Sequence, residues 1–162
     1  MTRLASVRTR MQAEGLDAVI ITNLKNIYYL SGFWGTAGTI LMTQQAQYLL
    51  TDSRYSIAAR EVAVDFDIIE TREAFVEIAK LLKKEAVTQV GFEDGVTYAE
   101  FQTMQSQLAG LTLKATTNLI EVLRQIKSPD EIATIKKACV ISDQAFNDLL
   151  KFVEPGTTEI EI

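Results

Sequence analysis

Two strand-like runs, residues 38–43 and Gln47–Thr51, are separated only by the polar Gln44-Gln45-Ala46, and this spacing constrains the fold more than any other feature. A hairpin is the simplest connection across so short a gap, which argues against a purely parallel sheet. Around the hairpin, helical and extended patterns alternate. Leu4, Val7 and Met11 recur at three and four residues and predict a helix over residues 2–14, stopped by Gly15. Residues 17–22 contain an unbroken Ala-Val-Ile-Ile run and read as a buried strand. Asp52 or Ser53 caps a helix running to about Val62, residues 66–70 form a strand, and Thr71 opens a helix with Phe75, Ile78 and Leu82 inward. Residues 89–92 read as a strand. Thr97 and Glu100 have capping-box spacing ahead of Phe101, Met104 and Leu108, and Gly110 ends that helix before a strand at residues 111–115. The alternation predicts an α/β protein, a mixed β-sheet flanked by helices.

Asn118 is expected to begin a helix with Leu119, Val122, Leu123 and Ile126 on one side, ending near Lys127 because the residue before Pro129 avoids the helical region. Ser128-Pro129-Asp130-Glu131 is the strongest local signal: a cap, a proline at the first helical position and an acid at the third. The helix it opens carries Ile132, Ile135, Cys139, Phe146, Leu149 and Val153 at near-heptad spacing and breaks at Glu154-Pro155-Gly156. Its apolar stripe needs a cover from the first domain, a second copy or a further domain. A boundary is therefore expected at Ser128, with residues 1–127 as one domain and 128–162 as a linker and the start of another. Thr158 and Glu161 repeat the capping-box spacing at the very end, so the chain reads as a piece whose chemistry lies beyond residue 162.

What the sequence lacks narrows its chemistry. It contains no histidine and a single cysteine, Cys139, so a nucleophile–histidine pair, a Cys/His zinc site and an intrachain disulfide are all excluded from this stretch. Cys139 reads as a packed side chain and not a reactive thiol. Sixteen basic residues face 21 acidic ones, a formal charge of -5, and no stretch concentrates Lys and Arg beyond a pair such as Lys83-Lys84, which argues against a nucleic-acid partner. No run approaches the ~18 apolar residues that span a bilayer, and the polar start shows no secretory signal. No membrane association and a cytoplasmic location are the expectation.

Three groups of residues are candidates for function. Asp17, Asp52, Glu93 and Asp94 fall at predicted strand ends; they would hold Mg²⁺ for phosphodiester hydrolysis only if the fold brought them within about 10 Å, and otherwise serve as caps and turns. Residues 26–38 combine Asn26, Tyr28, Tyr29, Phe33 and Trp34 with three glycines, a composition that suits a binding loop or a packed connection equally. Arg54, directly after a strand and beside Tyr55, either receives a carboxylate such as a substrate terminus or forms a surface ion pair.

Taken in order, Asn26-Ile27-Tyr28-Tyr29-Leu30-Ser31-Gly32-Phe33, Thr51-Asp52-Ser53-Arg54-Tyr55, Val90-Gly91-Phe92-Glu93, Leu123-Arg124-Gln125-Ile126-Lys127-Ser128-Pro129-Asp130-Glu131 and Pro155-Gly156-Thr157-Thr158-Glu159 resemble the N-terminal part of the Xaa-Pro peptidases, the creatinase/prolidase group. The resemblance implies a ribonuclease H-like N-terminal domain, followed from Ser128 by the first helix of a pita-bread metallopeptidase domain. It implies two divalent ions, Mn²⁺, Co²⁺ or Zn²⁺, held by carboxylates and a histidine of that second domain, with no catalytic or metal-binding residue in this chain. It implies a homodimer or higher homo-oligomer and a proline-containing peptide substrate. By position it marks Phe33, Trp34, Thr36, Arg54 and Tyr55 as contributors to a substrate pocket, including that of a neighbouring subunit. A non-peptidase relative, such as a creatinase-like hydrolase or a metal-less binding protein, is the alternative parent.

Overall fold

The computed structural model describes residues 2–85 and 87–162. The chain divides into two compact units, the first ending at Arg124 and the second spanning Gln125–Ile162. The elements in chain order are α1 (Arg3–Ala13), β1 (Ala18–Ile21), α2 (Leu24–Ser31), β2 (Thr39–Thr43), β3 (Gln47–Thr51), α3 (Ser56–Val62), β4 (Asp67–Glu70), α4 (Ala74–Leu82), β5 (Gln89–Glu93), α5 (Tyr98–Gln107), β6 (Thr112–Thr116), α6 (Glu121–Gln125) and α7 (Pro129–Phe152).

The expected hairpin fixes the character of the sheet. β2 and β3 pair antiparallel through Ile40↔Leu49 and Leu41↔Tyr48, and β2 is also antiparallel to β1. The other contacts, β1 with β5, β5 with β6 and β3 with β4, are parallel. The six strands therefore lie in the order β4-β3-β2-β1-β5-β6, and every strand except β2 points the same way. The mixed sheet flanked by helices is thus the architecture read from the sequence, and its C-terminal edge gathers the ends of β1, β3, β4, β5 and β6.

Side chains alternate between the two faces of each strand. On one face Val19, Ile21, Ile40, Met42 and Leu49 pack with Val7 and Met11 of α1, Ile27 and Leu30 of α2, and Ala59 of α3. On the other, Ala18, Ile20, Leu41, Leu50, Val90 and Phe92 pack with Ile78 and Leu82 of α4 and Met104 of α5. Helices α1 to α3 therefore cover one face and α4 and α5 the other. The continuous Ala-Val-Ile-Ile of β1 is buried throughout because both of its faces are covered.

Several helix starts follow their local chemistry. The Thr97–Glu100 and Ser128–Glu131 capping boxes both form, and Pro129 takes the first helical position of α7. Others differ from expectation. Residues 26–31, expected to belong to a binding loop or a packed connection, lie instead in helix α2, which is capped by Asn23 and closed by Gly32 in the left-handed conformation at φ 73°. The helix expected from Asn118 begins instead at Glu121, because Asn118 itself has φ 57° and turns the chain so that Leu119 and Ile120 enter the core. α3 starts at Ser56 without a side-chain cap, since the Asp52 carboxylate is engaged by Arg54, and α4 starts at Ala74 after Thr71 has accepted the Glu73 amide. Thr158 and Glu161 make the expected side-chain bonds, but these close a turn and not a helix.

The second unit is built on α7, whose 24 residues span about 36 Å. Taken by itself it has no buried residue, and Ile132, Ile135, Ile141, Phe146 and Leu150 are exposed along it, as is Cys139. No helix among the described residues is long and apolar enough to cross a membrane.

Candidate functional site

The segment richest in chemistry runs from the end of α2 to the start of β2, on the C-terminal edge of the sheet. Its geometry is set by one buried ring. Ser31 Oγ donates to the Ile27 carbonyl at 2.7 Å and accepts from the Phe33 amide at 3.1 Å, so the chain turns at Gly32 and drives Phe33 inward. The Phe33 ring is 2% exposed and meets Tyr55 edge to face, 5.9 Å between centroids. The loop then folds back over that ring. A Cβ at position 35 would press into it, 2.9 Å from Cε1 and closer still to Cζ, so only glycine allows the approach. Thr51 Oγ1 holds the Ala37 carbonyl at 2.6 Å, and the Thr36 and Tyr55 hydroxyls bond at 2.9 Å.

Trp34, between two anchored residues, points the other way. It is 76% exposed, and its ring pairs edge to face with Tyr28, itself half exposed, at 5.4 Å. The five residues marked by the sequence thus occupy different layers. Phe33, Thr36 and Tyr55 form the frame, Trp34 is the face presented outward, and Arg54 lies beside them on Asp52. The Arg54 Nε bonds both Asp52 oxygens at 3.1 Å and Nη2 bonds Oδ2 at 2.6 Å, with the guanidinium 5.3 Å from the Tyr55 ring. That bond to Arg54 holds the Asp52 carboxyl below its ordinary pKa and raises Arg54 further. The hydrogen bond from Thr36 lowers the Tyr55 hydroxyl. Tyr28 had no separate signal in the sequence, because its position beneath Trp34 depends on α2 being a helix.

Beside the loop, a cleft of about 470 Å³ opens at the same edge, lined among others by Thr36, Thr51, Asp52, Arg72, Phe75 and Glu100. It lies where the chain leaves β1 and β3 toward one face of the sheet and β4 toward the other, the place where open α/β sheets form crevices. Carboxylates, a guanidinium and hydroxyls share its walls, a lining suited to small polar ligands.

The four acids do not form a site. Asp17 precedes β1 at the opposite edge from Glu93, about 13 Å away by four residues of strand rise, and Asp52 is three strand spacings, about 14 Å, from Glu93. Each has a structural role. Asp17 accepts from the Thr88 and Gln89 amides and the Thr88 hydroxyl, bonds that lower its pKa. Glu93 accepts the Thr22 and Asn23 amides at the start of α2, and Asp94 accepts from Thr117. Among the described residues no three His, Cys, Asp or Glu side chains are grouped to hold a metal ion. They do not fit the two-ion centre implied by the sequence resemblance, and no hydrolytic step can be routed through them.

Comparison with known proteins places this geometry. A family model described as the Creatinase/Prolidase N-terminal domain matches residues 3–126. An uncharacterized peptidase, YqhT, of Bacillus subtilis is 30% identical over 162 residues, covering 99% of this chain and 46% of the relative. The solved structure of an Xaa-Pro dipeptidase from Bacillus anthracis superposes with a TM-score of 0.92 at 32% identity, covering 98% of this chain and 45% of that one. A crystal structure of the aminopeptidase P of Streptococcus thermophilus, 38% identical with a TM-score of 0.73, covers 75% of this chain and 95% of its own. The chain spans slightly less than half the length of the curated relatives it matches.

Proposed function

This chain belongs to the creatinase/prolidase N-terminal domain family, and from that premise we propose that it is the non-catalytic N-terminal part of a metal-dependent, cytoplasmic Xaa-Pro peptidase. Its role is to assemble the protein into a homo-oligomer and to shape the pocket that receives a proline-containing peptide. The two divalent ions and the groups that hold them belong to another part of that protein.

The observation that carries this reading is the anchored loop. Phe33, Thr36, Thr51 and Tyr55 fix it from beneath, yet Trp34 and Tyr28 remain uncovered. Aromatic surface on a pre-ordered support is what recognition sites use, because a partner covering it gains apolar burial without first ordering the loop. Relatives carry the names Xaa-Pro dipeptidase and aminopeptidase P, so a proline-containing peptide is the partner proposed for this surface.

Two measurements test the proposal. Incubated with Mn²⁺ and an Xaa-Pro peptide, the purified chain is expected to release no proline above buffer, and robust turnover would overturn its non-catalytic role. In sedimentation equilibrium the chain is expected to self-associate, and a strictly monomeric species up to high micromolar concentration would remove the assembly role.

A further inference from the structure

Three sequence-distant segments meet at one buried amide. Asn26 of α2 is 0% exposed. Its Nδ2 donates one hydrogen to Glu93 Oε1 at 2.6 Å and the other to Glu121 Oε1 at 2.5 Å, while its Oδ1 accepts from Arg124 Nη1 at 2.9 Å. Glu93, at the end of β5 and also buried, uses its second oxygen for the Thr22 and Asn23 amides at 2.7 Å each. Asn26 therefore links the end of one strand to the element that closes the first unit.

That element has little else to hold it. α6 is five residues long, far below the ~12 at which isolated helices become stable, and it contains no buried residue. Leu119 and Ile120 enter the core just before it. Besides the backbone bonds of its Val122, Leu123 and Arg124 amides to the Asn118 and Ile120 carbonyls, α6 is fixed by Glu121 and Arg124 on Asn26, a bond from the Tyr29 hydroxyl to the Leu123 carbonyl at 3.3 Å, and the half-buried Leu123 against the core. Arg124 is the last residue of the first unit. The amide is chemically specific for this role, because two donors and an acceptor in one short plane are needed, and aspartate or leucine of similar size supplies neither donor.

We propose that Asn26 is a positioning residue, a relay that seats α6 on the C-terminal edge of the sheet through Glu121 and Arg124 and so fixes the point from which the chain leaves the first unit. Under the function proposed above, the chain departs from that point toward the catalytic part, so the relay sets the root of the linker. The test reads α6 in this chain directly, without peptidase activity, and stands or falls separately from that function.

Hydrogen exchange and limited trypsinolysis of the 162-residue chain measure it. In the wild type, trypsin is expected to cut after the exposed Lys127 well before it cuts after Arg124. Glu121→Ala removes one of the two α6 contacts of the relay and leaves the Arg124–Asn26 and Asn26–Glu93 bonds in place. It is expected to raise exchange at the amides of residues 122–125 and cleavage after Arg124 by about tenfold, while β2 and β3 exchange as in the wild type. Asn26→Asp, which loses both donors, is expected to do the same or more. Exchange in Glu121→Ala within twofold of wild type at residues 122–125 would overturn the proposal, as would a uniform rise across β2, β3 and α6, which would mark Glu121 as a contributor to global stability only.

Discussion

Replacing Glu93 by glutamine changes one atom, and the structure allows its cost to be worked out. The carboxylate receives three close donors, the Thr22 and Asn23 amides on Oε2, both at 2.7 Å, and Asn26 Nδ2 on Oε1 at 2.6 Å, with the Thr22 hydroxyl a longer fourth at 3.5 Å on Oε2. Glutamine keeps one acceptor oxygen and presents a second donor in place of the other. In its better orientation the oxygen retains the two backbone amides, and Nε2 then faces Asn26 Nδ2, donor against donor. Turning the Asn26 amide does not help, because Nδ2 would then face Arg124 Nη1 and abandon Glu121.

The variant thus loses one charge-assisted bond, worth roughly 1.5–3 kcal/mol, and weakens two others by roughly 1 kcal/mol each. A favourable carboxylate at the α2 N-terminus goes too, roughly 0.5 kcal/mol. Against this, a charge no longer has to be desolvated, which returns on the order of 2 kcal/mol. The net expectation is a loss of about 2–3.5 kcal/mol, read as a lower midpoint in urea with an unchanged slope. Glu100→Gln is the control. Its carboxylate also accepts backbone and side-chain donors, but in an exposed capping box, so its loss should stay below about 1 kcal/mol. If Glu93→Gln lies within about 0.5 kcal/mol of wild type, the three bonds do not carry the weight assigned to them.

Phe33→Ala and Trp34→Ala are neighbours with opposite expected outcomes: about 3–5 kcal/mol lost for the buried ring and less than about 0.5 kcal/mol for the exposed one, and equal losses in urea unfolding would contradict their orientation. Gly35→Ala forces a Cβ into the Phe33 ring and should cost about 1–3 kcal/mol, with altered ring signals of Phe33 and Tyr55 in NMR; unaltered signals would place the loop elsewhere. The folded pKa of Asp17 lies below its ordinary value because it accepts the Gln89 and Thr88 amides, so its contribution is complete above about pH 4 and fades as pH falls through the lower folded value. The stability deficit of Asp17→Ala should therefore shrink on acidification below about pH 4, and a deficit constant from pH 7 to pH 2 would refute the linkage.

Features set by neighbouring residues were legible in the sequence. The capping boxes at Thr97 and Ser128, the buried run of β1 and the short Gln44-Gln45-Ala46 link each depend on a few adjacent positions. α2 was hidden because Tyr28 and Tyr29 favour strands and the three glycines after them favour loops. Asn23 and Gly32 bracket the helix, yet caps so close together outline a segment of only eight residues. Asn118 looked like a helix start because Asn caps well; the same short side chain also tolerates φ 57°, and burial of Leu119 and Ile120 selected that alternative. Strand ends were correctly located for Asp17 and Glu93, but strand direction and order decide which edge each occupies. The Asn26 relay joins positions 67 to 98 residues apart, a distance over which no local pattern carries information.

The same distinction explains why Phe33 and Trp34 could be named as a pair but not told apart. Both are large aromatics beside glycine, and their opposite fates rest on Thr51, Tyr55 and Ala37, which converge only after folding. Since the loop is held without Trp34, deleting that indole changes the surface and leaves the support. This separates the two roles proposed for it. If Trp34 serves assembly, covering most of its ring should contribute about 2 kcal/mol, and Trp34→Ala should weaken self-association about thirtyfold in sedimentation equilibrium. If it serves the substrate pocket alone, the same variant should assemble as wild type and, in the whole peptidase, change which peptide lengths are accepted. A variant unchanged in both would leave the exposed indole without a partner, and the pocket-shaping and assembly roles would have to be sought at the polar cleft beside Arg72 instead.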